Sequence, residues 1–504
     1  MNIKVKDIIN ILNRENQIVD IKVLNQSDII SNVTYNSKAV KDKDVFVCKG
    51  LNFKEEYLTD AISRGCGLYI SEKIYNYNIP YIIVKDARKS LALISKLFYA
   101  EKTEKLKLIG VTGTKGKSTT SFFIKNILDL YLKSKGKMLS GIISTIDTYD
   151  GSEISESSLT TPESLEFYKL LNNAVNNELE YFVCEISSIA YKYSRVYGAN
   201  FNVGVFLNIG YDHISDVEHK DFDDYFSSKI KLLENSEYIV INKDLLRYDE
   251  INEVLNNKEK DKIFTFSIDD KADYKAINIK RKNRFTSFDL VHNGETKNYN
   301  LLMSGLYNVE NAIAAIIVCE ILCIDYKYIF KGILGSAVKG RGEIYKTKDG
   351  KKTLIVDYAH NELSLKRYFE FIKEEFKDKK HICIIGAPGG KALNRRKEIG
   401  TLCYKNCDEI ILTSDDPFYE SFDNICSEIM SFIPKYKKIR VIENRTEAIK
   451  EAVNSYKNEE TIISILGKGS ETSQNYNGIS RDYISDSVNA KIFVEEYNKN
   501  INQI

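Results

Sequence analysis

A glycine- and lysine-rich turn between an apolar strand and a helix constrains the fold of this chain most strongly. Residues 106–112 form an apolar run typical of a buried strand, and a helical pattern extends from about Ser118 to Leu132. The sequence Thr-Gly-Thr-Lys-Gly-Lys-Ser-Thr, residues 112–119, connects the two. A strand, a glycine-rich turn and a helix in this order predict the first unit of a nucleotide-binding α/β domain.

The residues of this turn are suited to hold phosphate groups. Glycines allow successive backbone N–H groups to converge on phosphate oxygens at the N-terminus of a helix, where negative charge is favoured. Lys117 is expected to neutralise the β- and γ-phosphates and Ser118 to bind Mg²⁺, as in the pattern G-x-x-x-x-G-K-[ST], although Val111 stands in place of its first glycine. We therefore predict an ATP or GTP site. Its residues are Gly113, Thr114, Lys115, Gly116, Lys117, Ser118 and Thr119.

The charge balance of the chain excludes binding modes that need a strong overall field. Because 72 Lys+Arg stand against 71 Asp+Glu, for a net charge of +1, neither nucleic acid nor a membrane surface is an expected partner. The most apolar stretch, residues 312–324, contains Glu320 and is shorter than the about 20 residues of a membrane-spanning helix. The charged N-terminus differs from a signal peptide, and nine cysteines without a C-x-x-C pair indicate reduced thiols without metal. We predict a cytoplasmic monomer.

Strand and helix patterns divide the 504 residues into about three domains. Short β-runs alternate with helical stretches in residues 1–105, which predicts a smaller N-terminal α/β domain. Residues 106–335 contain the phosphate-binding turn and predict a central doubly wound sheet, with an antiparallel insertion at residues 260–300. Five further β-runs in residues 336–504 predict a C-terminal Rossmann-like sheet. The predicted fold class is α/β with three domains.

Further motifs follow one another along residues 30–490 with regular spacing. They are Asn36-Ser37-Lys38, Thr160-Thr161-Pro162, Glu185-Ile186-Ser187-Ser188, Asp212-His213, Tyr225 with Lys229, Gly305-Leu306-Tyr307-Asn308 with Asn311, Gly340-Arg341-Gly342-Glu343, Asp357-Tyr358-Ala359-His360, and Gly467-Lys468-Gly469 with Glu471. Together with the phosphate-binding turn, this series resembles the Mur ligase family, whose members use ATP to form amide bonds in peptidoglycan synthesis.

The resemblance implies a nucleotide site and two Mg²⁺ sites. Asn308 and Asn311 correspond to adenine contacts, and Arg341 and Asp357 correspond to contacts with the γ-phosphate and the ribose. Ser118 and Glu185 match the ligands of one Mg²⁺, while His213 and Lys229 match those of a second. In the family the lysine equivalent to Lys229 is carbamylated (N6-carboxylysine), which turns a cation into an oxygen-donating anion. The resemblance implies these catalytic residues: Lys117, Glu185, His213, Lys229 and His360.

The resemblance also implies a site for a uridine nucleotide substrate and a site for an amino acid. The residues matched to the uridine nucleotide are Ser37, Thr160, Thr161, Ser187 and Arg195. The residues matched to the amino acid are Arg395, Asp415, Asp416, Gly467 and Glu471. Arg395 is expected to bind the α-carboxylate of the incoming amino acid.

The loop at Ser414-Asp415-Asp416-Pro417-Phe418 bears on which amino acid is added. Family members that add meso-diaminopimelate have Asp-Asn-Pro-Arg here, and the arginine binds the distal carboxylate. Phe418 cannot make that bidentate contact, whereas Asp415, Asp416 and Glu471 can surround an ammonium group. The loop therefore favours L-lysine.

The resemblance thus implies an ATP- and Mg²⁺-dependent ligase that adds L-lysine to UDP-N-acetylmuramoyl-L-alanyl-D-glutamate. Asn36 and Lys38 replace the family's Asp and Arg, Glu362 replaces a usual Pro, and Ser470 replaces a His. These departures leave open the same reaction with meso-diaminopimelate or another diamino acid, or a divergent ligase such as a polyglutamate synthetase. A scaffold that binds nucleotide without turnover would be expected to have lost some of the matched catalytic residues.

Overall fold

Helices and sheets alternate along the chain in the computed structural model. It describes residues 3–501 except residues 24, 51, 158, 216–217, 283–284, 304, 337 and 457. The described residues form a five-stranded, an eleven-stranded and a six-stranded sheet, together with a two-stranded hairpin. The predicted α/β class is confirmed, while the domain boundaries near residues 105 and 335 stay a prediction.

The N-terminal sheet is small and mostly parallel. Its strands are β1 (Ile18–Lys22), β2 (Val33–Thr34), β3 (Val45–Val47), β4 (Leu68–Ser71) and β5 (Tyr81–Val84), and its helices are α1 (Val5–Arg14), α2 (Glu55–Ser63) and α3 (Ala87–Tyr99). The strand order is β1-β5-β4-β3-β2, with β1 antiparallel to β5 and the other pairs parallel. All residues of β3 and β4 are buried, as expected for apolar runs in the middle of a parallel sheet.

The central sheet carries the phosphate-binding turn. Its strands are β6 (Lys107–Thr112), β7 (Gly141–Ile143), β8 (Asp147–Tyr149), β9 (Ile154–Glu156), β10 (Tyr181–Glu185), β11 (Phe201–Phe206), β12 (Ser236–Asn242), β13 (Ile263–Ser267), β14 (Tyr274–Lys282), β15 (Phe285–His292) and β16 (Glu295–Leu301). The helices that follow the same stretch are α4 (Lys117–Ser134), α5 (Ser164–Asn176), α6 (Ser188–Lys192), α7 (Phe222–Glu234), α8 (Tyr248–Leu255), α9 (Leu306–Ile321) and α10 (Tyr326–Leu334). The order is β16-β15-β14-β13-β12-β11-β6-β10-β7-β8-β9.

The segment predicted as an antiparallel insertion extends the central sheet. Strands β14, β15 and β16 pair antiparallel, which confirms the alternation seen in the sequence. The prediction is wrong for β13, which pairs in parallel with both β12 and β14 and so joins the segment to the central sheet. Alternate side chains such as Phe288 and Tyr299 are buried in the core that also contains α9, which explains the period of two.

The C-terminal sheet repeats the parallel pattern. Its strands are β17 (Glu343–Lys346), β18 (Lys352–Asp357), β19 (Lys380–Ile385), β20 (Glu409–Leu412), β21 (Lys438–Val441) and β22 (Thr461–Leu466), followed by the hairpin β23 (Ser473–Tyr476) and β24 (Ile479–Asp482). The helices are α11 (Glu362–Glu375), α12 (Asn394–Asn406), α13 (Phe422–Ser431), α14 (Arg445–Asn454) and α15 (Asp486–Ile501). The order is β17-β18-β22-β19-β20-β21, and the five predicted β-runs are confirmed as its parallel strands.

The carboxyl ends of the parallel strands bring the sequence motifs together. The phosphate-binding turn follows β6, and Glu185 ends β10 in the central sheet. Asp357 ends β18, and Gly467 follows β22 in the C-terminal sheet. Ligands of open α/β sheets bind at this edge, so the fold itself predicts a shared site there. Among the described residues, no helix combines the length and the apolar character needed to cross a lipid bilayer.

His381 is a buried histidine of β19 that we expect to make the protein sensitive to acid. Its Nδ1 lies 3.0 Å from the Asn406 carbonyl and its Nε2 lies 2.7 Å from Ser464 Oγ, so the neutral ring donates from Nδ1 and accepts at Nε2. Burial lowers the pKa of His381 to about 4. Because the unfolded state takes up a proton below about pH 6.5, the free energy of unfolding should fall by about 1 kcal/mol per pH unit from there towards pH 4.

Urea unfolding at pH 7, 6 and 5 measures this effect. The variant His381→Gln keeps hydrogen-bonding capacity but does not titrate, so its free energy of unfolding should decline less steeply than that of the parent protein. Parallel pH profiles for the two proteins would contradict the assignment.

Candidate active site

A large cavity lies between the central and C-terminal sheets, with a volume of about 510 Å³. The predicted site residues in its wall are Thr114, Lys115, Gly116, Lys117, Ser118, Thr119, Thr160, Glu185, His213, Asn308, Asn311, Arg341, Asp357, His360, Arg395, Asp415, Asp416, Gly467 and Glu471. The structure therefore brings together residues more than 350 positions apart. Predicted residues outside the wall are Ser37, Gly113, Thr161, Ser187, Arg195 and Lys229.

The phosphate-binding turn has the backbone geometry that its glycines predict. Gly116 precedes α4 with φ of 86°, and a Cβ there would lie 2.3 Å from Asn311 Oδ1, so a larger residue does not fit. The Lys117 ammonium folds back onto the turn and donates to the Gly113 carbonyl at 3.0 Å. Burial lowers the pKa of Lys117. A buried lysine in this position gains most from an anionic partner such as a phosphate group.

Glu185 and Ser118 form an arrangement that suits a divalent cation. Glu185 is fully buried, and its Oε1 accepts from the Thr145 backbone N–H at 3.1 Å. Its Oε2 is buried and has no hydrogen-bond partner among the described residues. Ser118 Oγ lies 2.8 Å from Thr145 Oγ1. A carboxylate oxygen without a partner beside a hydroxyl is the donor set that Mg²⁺ prefers, so these residues fit the ion.

Lys229 is buried in the core behind the phosphate-binding turn. Lys229 is 2% exposed, and its Nζ donates to the Gly113 carbonyl at 2.9 Å. Burial, together with the nearby charge of Lys117, holds the pKa of Lys229 well below its usual value. The neutral amine is thus favoured, which is the form that can react with carbon dioxide. By sequence pattern alone, Lys229 would have been assigned to a solvated helix face.

His213 stands at the mouth of the cavity on the loop after β11. Its backbone has φ of 57°, and its Nδ1 lies 3.0 Å from Glu218 Oε1. The Nε2 atom is 3.8 Å from Asp212 Oδ2. Because Glu218 holds Nδ1, the Nε2 atom is the one free to serve as a metal ligand.

Asp212 ties the central sheet to the C-terminal sheet. Its buried carboxylate accepts from Arg395 Nη2 at 2.8 Å and from Asn361 Nδ2 at 2.6 Å. Burial opposes ionisation of Asp212, but Arg395, His213 and Lys115 outweigh that effect and hold the pKa of the carboxyl well below its usual value. Arg395 therefore has a protein partner as well as a place in the cavity wall, and its buried Nε has no partner among the described residues.

Lys115 and His360 make a second contact between the same two parts of the chain. The Lys115 Nζ lies 2.9 Å from His360 Nε2, while His360 Nδ1 donates to the Tyr358 carbonyl at 2.7 Å. Burial lowers the pKa of Lys115 to about 7, and burial with the adjacent Lys115 keeps the pKa of His360 well below its usual value. His360 is therefore neutral and accepts a hydrogen bond at Nε2.

The side of the cavity matched to adenine and ribose is formed by α9 and the end of β18. Asn311 Nδ2 donates to Asn308 Oδ1 at 3.4 Å, and Asn311 Oδ1 accepts from Thr120 Oγ1 at 3.3 Å. Asp357 accepts from the Ala359 backbone N–H at 2.9 Å, and Arg341 stacks 3.9 Å from the centre of the Tyr358 ring. Asn311 thus contacts the first turn of α4 and stabilises the phosphate-binding turn that precedes this helix.

Residues matched to the uridine nucleotide lie beside the cavity. Thr161 Oγ1 donates to the Glu185 carbonyl at 2.7 Å and accepts from the Ser187 backbone N–H at 3.0 Å. Arg195 donates to the Thr161 carbonyl and to Glu163 Oε1, both at 2.9 Å. Lys49 pairs with the same Glu163 and lies 4.0 Å over the Tyr35 ring. Ser37 is buried in a short 3₁₀ turn between β2 and β3 of the N-terminal sheet.

The acidic cluster predicted to hold an amino-acid ammonium already contains one cation. The Lys468 ammonium lies 2.7 Å from Glu471 Oε2, 3.3 Å from Asp416 Oδ1 and 3.6 Å from Asp415 Oδ1. Burial opposes the charge, but the three carboxylates raise the pKa of Lys468 above its usual value. One ammonium balances one carboxylate, so the cluster retains a net negative charge facing the cavity.

Phe418 lies next to this cluster rather than in the cavity wall. Its backbone N–H donates to the Asn475 carbonyl at 3.1 Å, and the Lys391 Nζ lies 4.5 Å from its ring centre. Lys391 itself is part of the wall. A longer side chain at position 418 can therefore reach the edge of the cavity.

Several residues that shape the site were absent from the sequence-based set. Lys468 stands inside the motif Gly467-Lys468-Gly469, of which only Gly467 was assigned to the amino-acid site, and the charge of Lys468 was the available signal. Glu163 directly follows Thr160-Thr161-Pro162 and connects Lys49 with Arg195. Sequence reasoning assigned no role to Glu218 or Lys49, because the roles of both residues depend on partners that only the folded chain brings together.

Comparisons with family descriptions identify two segments of the chain. Residues 111–319 match the Mur ligase middle domain, and residues 340–469 match the Mur ligase, glutamate ligase domain. UDP-N-acetylmuramoyl-L-alanyl-D-glutamate–L-lysine ligase of Enterococcus faecalis is 38% identical over 477 residues, covering 93% of this chain and 92% of the relative. The enzyme of the same name from Streptococcus pneumoniae is 36% identical over 468 residues, covering 92% and 93%.

Solved structures with the same fold cover nearly the whole chain. UDP-N-acetylmuramoyl-L-alanyl-D-glutamate–2,6-diaminopimelate ligase aligns with a TM-score of 0.67 at 22% identity, covering 99% of both chains. MurF from Acinetobacter baumannii aligns with a TM-score of 0.64 at 17% identity, also covering 99% of both chains. MurF from Thermotoga maritima, solved in complex with ADP, aligns with a TM-score of 0.59 at 17% identity over 94% of this chain and 98% of that one.

Proposed function

This chain belongs to the Mur ligase family, and from that premise we propose that it adds L-lysine to UDP-N-acetylmuramoyl-L-alanyl-D-glutamate at the expense of ATP. The observation that carries the proposal is the single cavity that joins the phosphate-binding turn to the acidic cluster around Lys468. Relatives that share 36–38% identity over most of the chain are named for this reaction. The same cavity has space for the γ-phosphate of ATP, the carboxylate of the D-glutamate and the amine of lysine next to one another.

The reaction joins an amine to a carboxylate, which is uphill in water unless the acid is first activated. A carboxylate oxygen of the D-glutamate attacks the γ-phosphorus of ATP, the bond to ADP breaks, and an acyl phosphate forms. The amine nitrogen then attacks the carbonyl carbon, the bond to phosphate breaks, and the amine loses a proton to solvent. Fixed positive charge on the phosphate oxygens contributes more to such a transfer than a covalent nucleophile does.

The residues around the phosphate-binding turn support the first step. Lys117 is placed to neutralise the transferred phosphate, and Arg341 reaches the cavity from the C-terminal side. Ser118 and the free Oε2 of Glu185 would hold a Mg²⁺ ion that withdraws charge from the phosphate oxygens. His213 and a carbamylated Lys229 would hold a second ion. The burial of the Lys229 amine, which holds its pKa well below the usual value, supports the carbamate.

The amino-acid end of the cavity supports the second step. Arg395 lines the cavity and would bind the α-carboxylate of lysine. The excess negative charge of Asp415, Asp416 and Glu471 would bind the side-chain ammonium. With both ends held, the α-amine is the group left to attack the acyl phosphate. Closure of the cavity keeps water from competing as the nucleophile.

The remaining assignments concern the uridine nucleotide substrate and the cellular compartment in which the enzyme acts. Thr160, Thr161, Ser187 and Arg195 are proposed to bind the uridine nucleotide, with Ser37 contributing from the N-terminal sheet. Because that substrate and ATP are soluble nucleotides, we propose that the enzyme acts in the cytoplasm. Its monomeric state stays a prediction.

A competition assay with purified protein tests the proposal. Phosphate release is measured with ATP, Mg²⁺ and UDP-N-acetylmuramoyl-L-alanyl-D-glutamate in the presence of L-lysine, meso-diaminopimelate or L-ornithine. Release should require the dipeptide substrate and be strongest with lysine. A strong diaminopimelate signal without a lysine signal would overturn the specificity. If ¹⁸O in the glutamyl carboxylate does not pass to phosphate, the acyl phosphate is wrong.

Replacing Phe418 with arginine should shift the amino-acid preference. The guanidinium would neutralise part of the acidic cluster and offer a bidentate partner to a distal carboxylate, so kcat/KM for meso-diaminopimelate should rise about tenfold while that for lysine falls. The matched control is Tyr419→Arg, which adds the same charge at a neighbouring side chain that is 82% exposed. Equal behaviour of the two variants would contradict the role of position 418.

A further inference from the structure

Three buried cysteines of the C-terminal sheet converge at a place that the ligase reaction does not use. Cys383 lies in the middle of β19, Cys403 lies in the last turns of α12, and Cys407 ends that helix. Cys383 and Cys403 are fully buried, and Cys407 is 4% exposed. None of them lines the large cavity. The sequence alone does not mark this cluster, because Cys383 is distant from Cys403 and Cys407 along the chain.

The spacing of the three sulfur atoms matches that of ligands around one ion. All three Sγ atoms lie within 4.8 Å of one another, and the Cys383 and Cys403 Sγ atoms are 3.9 Å apart. Metal–sulfur bonds of about 2.3 Å place the sulfurs of a trigonal or tetrahedral site about 3.8–4.0 Å apart. Only a small inward movement of the side chains is needed to complete such a site.

Positive charge next to the cluster would compensate part of the charge of bound thiolates. Lys437 donates a hydrogen bond from Nζ to the Cys407 carbonyl. Three thiolates and a divalent ion carry one negative charge, which the Lys437 ammonium offsets. The surrounding residues, including Ile385 and Ile410, are apolar and exclude hard oxygen ligands.

We propose that Cys383, Cys403 and Cys407 form a binding site for a thiophilic metal ion in the core of the C-terminal sheet. The ion would fasten the C-terminal end of α12 to β19. The first turn of α12 carries Arg395 and Arg396, and β19 leads into the loop that carries Lys391. A bound ion would therefore stabilise the helix and the strand that position Arg395 and Lys391 at the amino-acid pocket. It would take no part in the reaction. The proposal is independent of which amino acid is added.

Titration of the full-length, fully reduced protein with Cd²⁺, and in parallel with Zn²⁺, tests this site. The sulfur-to-cadmium charge-transfer absorbance should saturate at one equivalent per chain, and Zn²⁺ should compete for it and raise Tm. Cys403→Ser should weaken binding by about a hundredfold. Cys426→Ser is the matched control, since this cysteine on α13 is equally buried but outside the cluster.

Three results of these experiments would overturn the proposal of a metal site. These results are the absence of a saturable band, equal binding by the Cys403→Ser and Cys426→Ser proteins, or loss of two thiols to a disulfide in the metal-free enzyme before reduction. If Cys403→Ser does not fold, Cys407→Ser at the helix end replaces it, with circular dichroism as the check on folding. Because the readout is metal binding, failure here leaves the ligase proposal untouched.

Discussion

Replacing Lys117 with methionine is expected to lower kcat by about 10²–10³-fold. The Lys117 ammonium lies at the N-terminus of α4, where it donates to the Gly113 carbonyl, and we propose that its charge stabilises the transferred phosphate. Methionine keeps most of the length and apolar volume, so the core around the turn stays packed. The measurement is the rate of phosphate release at saturating ATP, dipeptide substrate and lysine.

The control for Lys117→Met is Lys133→Met, which removes a lysine from the exposed end of the same helix. Its kcat should stay within about twofold of the parent value. Thermal unfolding of both variants separates a loss of catalysis from a loss of structure. A Lys117→Met protein that is folded and retains a tenth or more of the parent kcat would remove the phosphate-binding turn from the mechanism.

Replacing Lys229 with alanine is expected to lower kcat by a similar factor of about 10²–10³, because the variant loses the carbamate oxygens proposed to hold the second Mg²⁺. A small carboxylate such as formate or acetate should restore part of the activity. It can occupy the space left in the buried site and supply the missing oxygens. The readout is kcat as a function of added carboxylate at constant ionic strength.

The pattern of rescue distinguishes a carbamate from an ordinary lysine. If Lys229 acts as a cation, methylamine rather than formate restores activity, and the carbamate proposal is wrong. Lys231→Ala, from the exposed face of the same helix, should need no rescue. The parent enzyme should also lose activity in carbon dioxide-free buffer and regain it with bicarbonate.

Local patterns in the sequence were sufficient for the glycine-rich turn and for most of the long parallel strands. Strand β10 and the parallel strands of the C-terminal sheet follow from continuous apolar runs, and α4 follows from the helical pattern after Gly116. The pairing direction of one strand, however, was predicted wrongly. Strand β13 was grouped with the antiparallel strands after it, because pairing direction depends on the neighbouring strand and leaves no mark on a single run.

The sequence by itself therefore determined the α/β architecture, the glycine-rich turn between β6 and α4, and the family to which the chain belongs. Only the tertiary structure decided that Lys229 is buried with a lowered pKa, that Arg395 pairs with Asp212, that Lys468 occupies the acidic cluster and that Cys383 meets two other cysteines. The physical reason is the distance along the chain over which each effect acts. Backbone conformation and apolar periodicity act over a few neighbouring residues, whereas the charge state and partner of a buried side chain depend on segments that meet only when the sheets pack.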